Sequence, residues 1–402
     1  MKTIKKENYK VPVLSWCPEI EESAMAQIDN LAQLPFVFKK IAIMPDCHCG
    51  YGMPIGGVVA LKGVISPNMV GVDIGCGMCA VKTSLTYTDQ ETLKKIMGGI
   101  RKLIPVGPNR HKKSQGVKYM PLCDNLVSLG VDSIVTREFA NACKSIGTLG
   151  GGNHFIEIQK GSDGHIWIMI HSGSRNLGKQ VADHYNKIAK DLNKKWFSSV
   201  PEKWELAFLP IDSDEGQAYI KEMNYCVEFA LANRELMIDR VMYAISSVIG
   251  GLIKDKKTKE YLHFDAPINI AHNYARMENH FGENVMVHRK GATLATKDTI
   301  GIIPGSQGTS SYIVKGKGNK DSFNSCSHGA GRKLGRGQAI KTLDLQNEID
   351  ILNKAGVIHG IRNKKDLDES VSCYKDISEV MKNQEDLVEV LVELKPLAVI
   401  KG

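Results

Sequence analysis

The sequence predicts an α+β fold in which residues 1–402 form a single large domain of mixed sheets and helices around a central cleft. Three observations carry this expectation. Short apolar runs of β type recur at residues 41–44, 56–61, 166–170 and 285–287, and most are rich in Ile and Val. The 38 glycines are clustered rather than spread, at 50–57, 71–77, 147–152, 301–308 and 329–337, next to such runs. Short strands that end in glycine-rich loops are a common way to present functional groups. Finally, the side chains able to do chemistry run from Asp46 to the last residues. If they share one site, the chain does not divide into independent domains, although its length alone would suggest two or three.

Two helices are expected. Over residues 213–250 the apolar residues Ile220, Met223, Tyr225, Val227, Phe229 and Ala230 recur near every 3.6 positions, and Ser213 or Asp214 precedes them as a cap. That helix reads as buried, and no chemistry is assigned to it. Residues 377–392 read as an amphipathic helix ended by Pro396. No repeat, low-complexity tract or long linker interrupts the chain.

Charge and cysteine content narrow the class. The net charge of +8 is scattered, with small basic clusters at residues 109–113, 254–257 and 315–317. It permits a polyanionic partner without demanding one. The basic start, Met1-Lys-Thr-Ile-Lys-Lys6, is followed by no apolar segment of signal-peptide type. No run approaches the ~18 apolar residues of a membrane span. A cytoplasmic protein away from membranes is expected, its ten cysteines serving as thiols or metal ligands rather than as a disulfide framework.

His328 is the most informative residue. It lies in Ser325-Cys-Ser-His-Gly-Ala-Gly-Arg332, where Gly329 and Gly331 would let a bulky anion approach the imidazole. Arg332 adds a planar fork suited to phosphate. A histidine so placed can act as a nucleophile toward a phosphoryl group. Four further strings accompany it. Asp73-Ile-Gly-Cys-Gly77 sets a carboxylate and a thiol three residues apart. His154 follows Gly150-Gly-Gly-Asn153, His171 ends an apolar run and opens His171-Ser-Gly-Ser-Arg175, and His272 lies in Asn269-Ile-Ala-His-Asn273.

Asp73, Cys76, His154, His171 and His272 together make a mixed oxygen, sulfur and nitrogen set. Carboxylate and imidazole tolerate manganese, and a bridging thiolate could hold two ions close together. Two such ions can orient and neutralise phosphates. Any one of these histidines read alone is better explained as a satisfied core residue; together, beside glycine, asparagine or aspartate, they favour a metal cleft. A rival set uses Cys47, Cys49, Cys76 and Cys79, as a four-cysteine zinc site or a redox pair. It leaves the histidine strings unexplained.

Taken together, these strings resemble the RtcB family of RNA-splicing ligases. The resemblance rests on Met44-Pro-Asp-Cys-His48, Gly50-Tyr-Gly52, Pro54-Ile-Gly-Gly57, Gly71-Val-Asp-Ile-Gly-Cys-Gly-Met78 and Gly150-Gly-Gly-Asn-His-Phe-Ile-Glu157. It continues through His171-Ser-Gly-Ser-Arg175, Ala271-His-Asn-Tyr274, Val287-His-Arg-Lys-Gly-Ala-Thr293, Ile303-Pro-Gly-Ser306 and Ser327-His-Gly-Ala-Gly-Arg332. The strings come in family order from about residue 34 onward.

The resemblance implies an RtcB-like fold and a ligase that uses GTP and two Mn²⁺ ions. Such an enzyme joins an RNA 3′-phosphate or 2′,3′-cyclic phosphate end to a 5′-hydroxyl end, in tRNA splicing or RNA repair. It implies that His328 becomes guanylylated and that an RNA-3′-pp-5′-G intermediate follows. Asp73, Cys76, His154, His171 and His272 would be the metal ligands, with Cys76 shared. Asn153, Glu157, Ser306, Ala330, Tyr374 and Lys401 would serve GTP, and Arg175, Arg332 and Arg336 the RNA ends. An archease-type activator is the implied partner. Cys47, Cys49, Cys79 and Gly335 depart from the family's usual residues. Two other readings compete: a metal-dependent cyclic phosphodiesterase that does not ligate, and a zinc-stabilised RNA-binding protein without enzymatic activity.

Overall fold

A computed structural model describes residues 1–121, 130, 132–250 and 262–402; the basic cluster at 254–257 lies outside the described residues. Two large sheets dominate. The first has six strands in the order Lys2–Ile4, Val13–Ser15, Val37–His48, Ile55–Leu61, Glu283–Lys290 and Asn273–His280. Its one parallel pairing joins Val13–Ser15 to Val37–His48. The second has seven strands, all antiparallel, in the order Ile268–Ala271, Gly77–Lys82, Ile166–Ser172, Phe155–Gly161, Val388–Lys401, Ser311–Gly316 and Ile300–Ile303. The four apolar runs read from the sequence each lie within one of these strands, so the α+β expectation holds.

The helix expected over 213–250 is Asp214–Ile249. Ser213 caps it by accepting from the Gly216 amide at 3.1 Å, and Gly250 ends it in the left-handed region at φ 85°. The helix joins two cores. Its first half buries Tyr219, Met223, Cys226 and Phe229 against the helices Ile134–Ser145 and Leu177–Lys195. Its second half buries Met237, Ile238, Val241 and Ile245 against Gln90–Leu103 and the back of the seven-stranded sheet. Each such burial is worth about 1.5–3 kcal/mol, so the helix is a rigid support for whatever rests on it.

The expectation for residues 377–392 is corrected. Helix Ile377–Lys382 has six residues, and the chain then becomes the 14-residue strand Val388–Lys401. Val388, Val390 and Val392 are β-branched and alternate with Glu389, Leu391 and Glu393, a period of two rather than 3.6. Pro396 does not end the element. It sits where the pairing register with Phe155–Gly161 shifts, between Pro396 and Ala398, and such a bulge tolerates the missing amide donor. Among the described residues no helix is long and apolar enough to cross a membrane.

Candidate active site

Strand ends and the loops between them supply the side chains. His154 immediately precedes strand Phe155–Gly161, Cys76 precedes Gly77–Lys82, and His171 lies near the end of Ile166–Ser172. These three strands are neighbours, so their ends bring the residues together. His154 Nε2 lies 3.1 Å from Asp73 Oδ2 and 3.5 Å from Cys76 Sγ. His171 Nε2 lies 3.3 Å from the same sulfur. The His272 amide donates to the Cys76 carbonyl at 2.8 Å, and its ring packs edge-on against His171 and His328. Cys76, His171 and His272 form one metal-capable group and Asp73, Cys76 and His154 another, with Cys76 common to both.

The hydrogen bonds behind these rings test whether a cation fits. His154 Nδ1 is 2.9 Å from the Leu149 carbonyl, and His171 Nδ1 is 3.1 Å from the Asn153 carbonyl. A carbonyl only accepts, so each Nδ1 carries a proton; in the neutral ring the Nε2 lone pair of His154 faces Asp73 and Cys76, and that of His171 faces Cys76. His272 Nδ1 is buried with no hydrogen-bond partner. Both features suit a divalent ion. Burial alone would raise the Asp73 carboxyl, but its contacts with His154 and Cys76 and the field of Arg175 together outweigh burial and hold Asp73 well below the usual range. Burial, helped by the Asp73 charge, pushes the Cys76 thiol up.

The cysteines of the rival zinc set do not meet. Among the described residues, no metal-capable group contains Cys47, Cys49 or Cys79. Cys79 faces Ile158, Ile168 and Ile170 in the apolar core, Cys47 packs in the core beside Val13 and Ile43, and Cys49 is exposed.

His328 follows the short strand Ser325–Ser327 and is held by a residue from the other sheet. Asp46 Oδ2 lies 2.6 Å from His328 Nδ1 and accepts from the amides of His328 and Gly329 at 3.1 and 3.3 Å. Asp46 is fully buried, so nothing competes for those bonds. The expected role of Gly331 is revised. It has φ 76°, and a Cβ there would lie 2.3 Å from the Asp46 carbonyl oxygen. Gly331 is needed so that the loop can close on Asp46, not to admit an anion. Two clefts open on His328. One, of about 160 Å³, is lined by Asn153, Phe155, Pro304, Ala330, Arg332, Arg336 and Tyr374 among others. The other, of about 520 Å³, is lined by Asp73, Cys76, His272 and Lys290. His328, Asn153 and Ile55 line both.

Glu369 organises the far side of the smaller cleft. It is buried and accepts from the Tyr374 hydroxyl; Arg332 and Arg336 each approach it at 2.8 Å. Arg332 also lies over the Tyr374 ring. Burial would raise the Glu369 carboxyl, but the fields of Lys401 and Arg332 hold it below the usual range. Lys401 is pulled down by burial while Glu369 and Glu157 act against that shift. Burial pushes Glu157 up to about 8. Glu157, Ser306 and Lys401 stand behind the cleft lining rather than in it. Arg175 is turned inward, donating to the Thr148 hydroxyl at 3.0 Å and toward the Gly107 carbonyl at 3.4 Å.

The sequence reading counted Asp46 among the chemical groups without giving it a role, and it did not single out three other residues that build the site: Glu369, Asn233 and Arg234. The last two belong to the long helix. The Asn233 side chain accepts from the amides of Gly147 and Thr148 and donates to the Ser172 hydroxyl and the Gly173 carbonyl. Arg234 Nη1 donates to the carbonyls of Gly75 and Ser172 at 2.9 and 2.8 Å. One helix turn therefore ties down the loops that carry Cys76, His154 and His171. The signal was present. Asn233 and Arg234 interrupt the apolar face between Ala230 and Met237, and a buried polar pair needs partners.

The fold and this side-chain set define a class: mixed-sheet α+β proteins with a carboxylate, thiol and histidine centre beside a separately held histidine. Within that class the assignment is specific. The family model described as tRNA-splicing ligase RtcB matches residues 27–144 and 129–402, and the chain belongs to the RtcB family. It is 37% identical to the RNA-splicing ligase RtcB1 of Escherichia coli over 97% of each chain. It is 34% identical to the tRNA-splicing ligase RtcB of Methanococcus maripaludis, over 95% of this chain and 92% of that one. With the tRNA-splicing ligase RtcB of Thermococcus kodakarensis it shares 29% identity over the same fractions.

Proposed function

We propose that this protein is an RNA ligase that joins a 3′-phosphate or 2′,3′-cyclic phosphate end to a 5′-hydroxyl end, with GTP as co-substrate. The observation that carries the reading is the Asp46–His328 pair. Asp46 holds Nδ1 and its proton, which leaves Nε2 as the free nucleophilic nitrogen at the junction of two clefts. The smaller cleft takes the nucleotide, with Asn153 at its phosphate end and Ala330 and Tyr374 around it; Arg332 and Arg336, held by Glu369, serve the RNA ends. Glu157, Lys401 and Ser306 support that pocket from behind. The larger cleft takes the RNA ends.

His328 Nε2 attacks the α-phosphate of GTP, forming an N–P bond and releasing pyrophosphate. A terminal RNA 3′-phosphate oxygen then displaces the histidine, giving RNA-3′-pp-5′-G. The 5′-hydroxyl attacks the RNA 3′-phosphate and expels GMP. A cyclic phosphate is first opened by water. Asp73, Cys76, His154, His171 and His272 would hold two manganese ions, whose chemistry is to orient and neutralise the phosphates. All nine described cysteines are free, which fits a reducing compartment, and we assign the chain to the cytoplasm. The reading includes an archease-type activator, whose addition should raise turnover.

The test is ligation of a short RNA ending in a 3′-phosphate, and of one ending in a 2′,3′-cyclic phosphate, to an RNA with a 5′-hydroxyl, with and without GTP. Joining that requires GTP supports the reading. Opening of a cyclic phosphate with no joining under any GTP concentration would overturn it in favour of a phosphodiesterase.

A further inference from the structure

A basic loop beside the glycine loop of the site is not used by the chemistry above. Between Arg101 and Pro121 the sequence contains no acidic residue but carries Arg101, Lys102, Arg110, Lys112, Lys113 and Lys118. The segment is fixed in place. The Gly107 amide donates to the Gly150 carbonyl at 2.9 Å, the His111 amide to the Lys144 carbonyl at 3.0 Å, and the Gln115 amide to the Cys143 carbonyl at 2.9 Å. Arg240 of the long helix holds its inner edge, donating to His111 Nε2 at 2.8 Å and to the Gln115 side chain. With His111 and Gln115 turned inward, Arg110, Lys112 and Lys113 are left exposed. Among the described residues none of these three enters an ion pair.

Position decides what such a surface is for. Gly150 and Gly152 belong to the loop that ends at Asn153, which lines both clefts. A Cβ on Gly150 would meet Arg175, and one on Gly152 would meet Arg336, so each arginine lies against this loop. Arg336 keeps half of its side chain in solvent. Arg110 follows Gly107 by three residues, a reach of at most about 10 Å. Arg110 thus stands near the rim of the site, and Lys112 and Lys113 follow it in the same braced loop. Exposed cations outside any ion pair, in a loop beside a phosphate-handling site, fit a phosphodiester backbone.

We propose that Arg110, Lys112 and Lys113 form a docking track for the single-stranded RNA arm that leads into the site, contacting its phosphates without reading its sequence. This rests on the RNA-ligase reading. The test is fluorescence anisotropy of a labelled single-stranded RNA with a 3′-phosphate, with full-length protein and no GTP, across a salt series. It compares wild type, the triple variant Arg110→Gln/Lys112→Gln/Lys113→Gln, and a control, Lys187→Gln/Lys190→Gln/Lys194→Gln, on the helix Leu177–Lys195. The triple variant should bind about tenfold more weakly at low salt. Its plot of log affinity against log salt should be shallower by about 2, because each lost contact to a single strand removes about 0.7. The control should match wild type, and covalent labelling with GTP should be equal in all three proteins. Unchanged affinity and slope in the triple variant would overturn the track while leaving the ligase reading intact. An equal loss in the control would also overturn it, by showing general charge attraction. Wild-type protein that binds RNA but never ligates would instead count against the ligase reading.

Discussion

The two sheets contribute unequal kinds of chemistry to one site. The seven-stranded sheet delivers a dense set, with Cys76, His154 and His171 at the ends of three adjacent strands and their free nitrogens directed at one sulfur. The six-stranded sheet delivers one carboxylate, Asp46, which holds a histidine 282 residues away in sequence. The dense set is redundant in its support, because Asn233 and Arg234 brace all of its loops. The His328 ring has a single hydrogen-bonding support, the Asp46 carboxylate. Loss of one ligand side chain should therefore damage cation binding and everything after it. Loss of Asp46 should damage only the orientation of the nucleophile.

Four predictions sharpen that contrast, from the largest effect to the smallest. Cys76→Ala should abolish guanylylation and ligation together and weaken manganese binding in equilibrium dialysis. Cys79→Ala, three residues on but facing the apolar core, should behave as wild type in both assays. Equal loss in the two variants would mean that the dense set is wrongly assigned. Asp46→Asn should slow GTP labelling of the protein about 100-fold, the lower range for losing a positioned acid–base partner, while manganese affinity stays within experimental error. Matching losses of affinity and labelling would erase the distinction between the two regions.

Glu369→Gln addresses the cleft wall. It breaks the largely buried ion pair with Arg332 and the half-exposed one with Arg336, and removing one partner of a buried pair costs about 3–5 kcal/mol. Denaturant unfolding should show that loss, together with a raised KM for GTP. The most gradual effect concerns pH. Burial pushes Glu157 up to about 8, so the folded chain keeps a proton that the unfolded chain releases. Its contribution to stability is complete below the unfolded value near 4.3 and is lost as pH rises through 8, at up to about 1.4 kcal/mol per pH unit. Glu157→Gln should flatten the fall in melting temperature between pH 5 and 8. A steeper fall in the variant would contradict this account of Glu157.

Much of the dense region was legible in the sequence because its parts are local. An apolar run ending in histidine or preceded by Asp-x-x-Cys is a pattern of a few residues, and the antiparallel pairing then brings the ends together. The single-support region was not legible, for the opposite reason. Asp46 acts on a residue 282 positions away, and Glu369 acts on arginines 33 and 37 positions away, so no spacing rule connects them. The tail was misread because a Val-Glu-Val-Leu-Val-Glu stretch offers apolar residues to either period. A central position between two partner strands decides for the strand. Asn233 and Arg234 were visible as an irregularity on an apolar helix face, and the loops they hold explain it.

The central claim is that His328 Nε2, presented by Asp46, is the atom that takes up GMP. The direct measurement is peptide mass spectrometry of the protein after incubation with GTP and manganese, on wild type and His328→Ala. The account predicts a GMP adduct on His328 in the wild type, and no adduct anywhere in the variant, whose manganese affinity is unchanged. An adduct on His171, Lys401 or any other residue, or one that persists in His328→Ala, would contradict it.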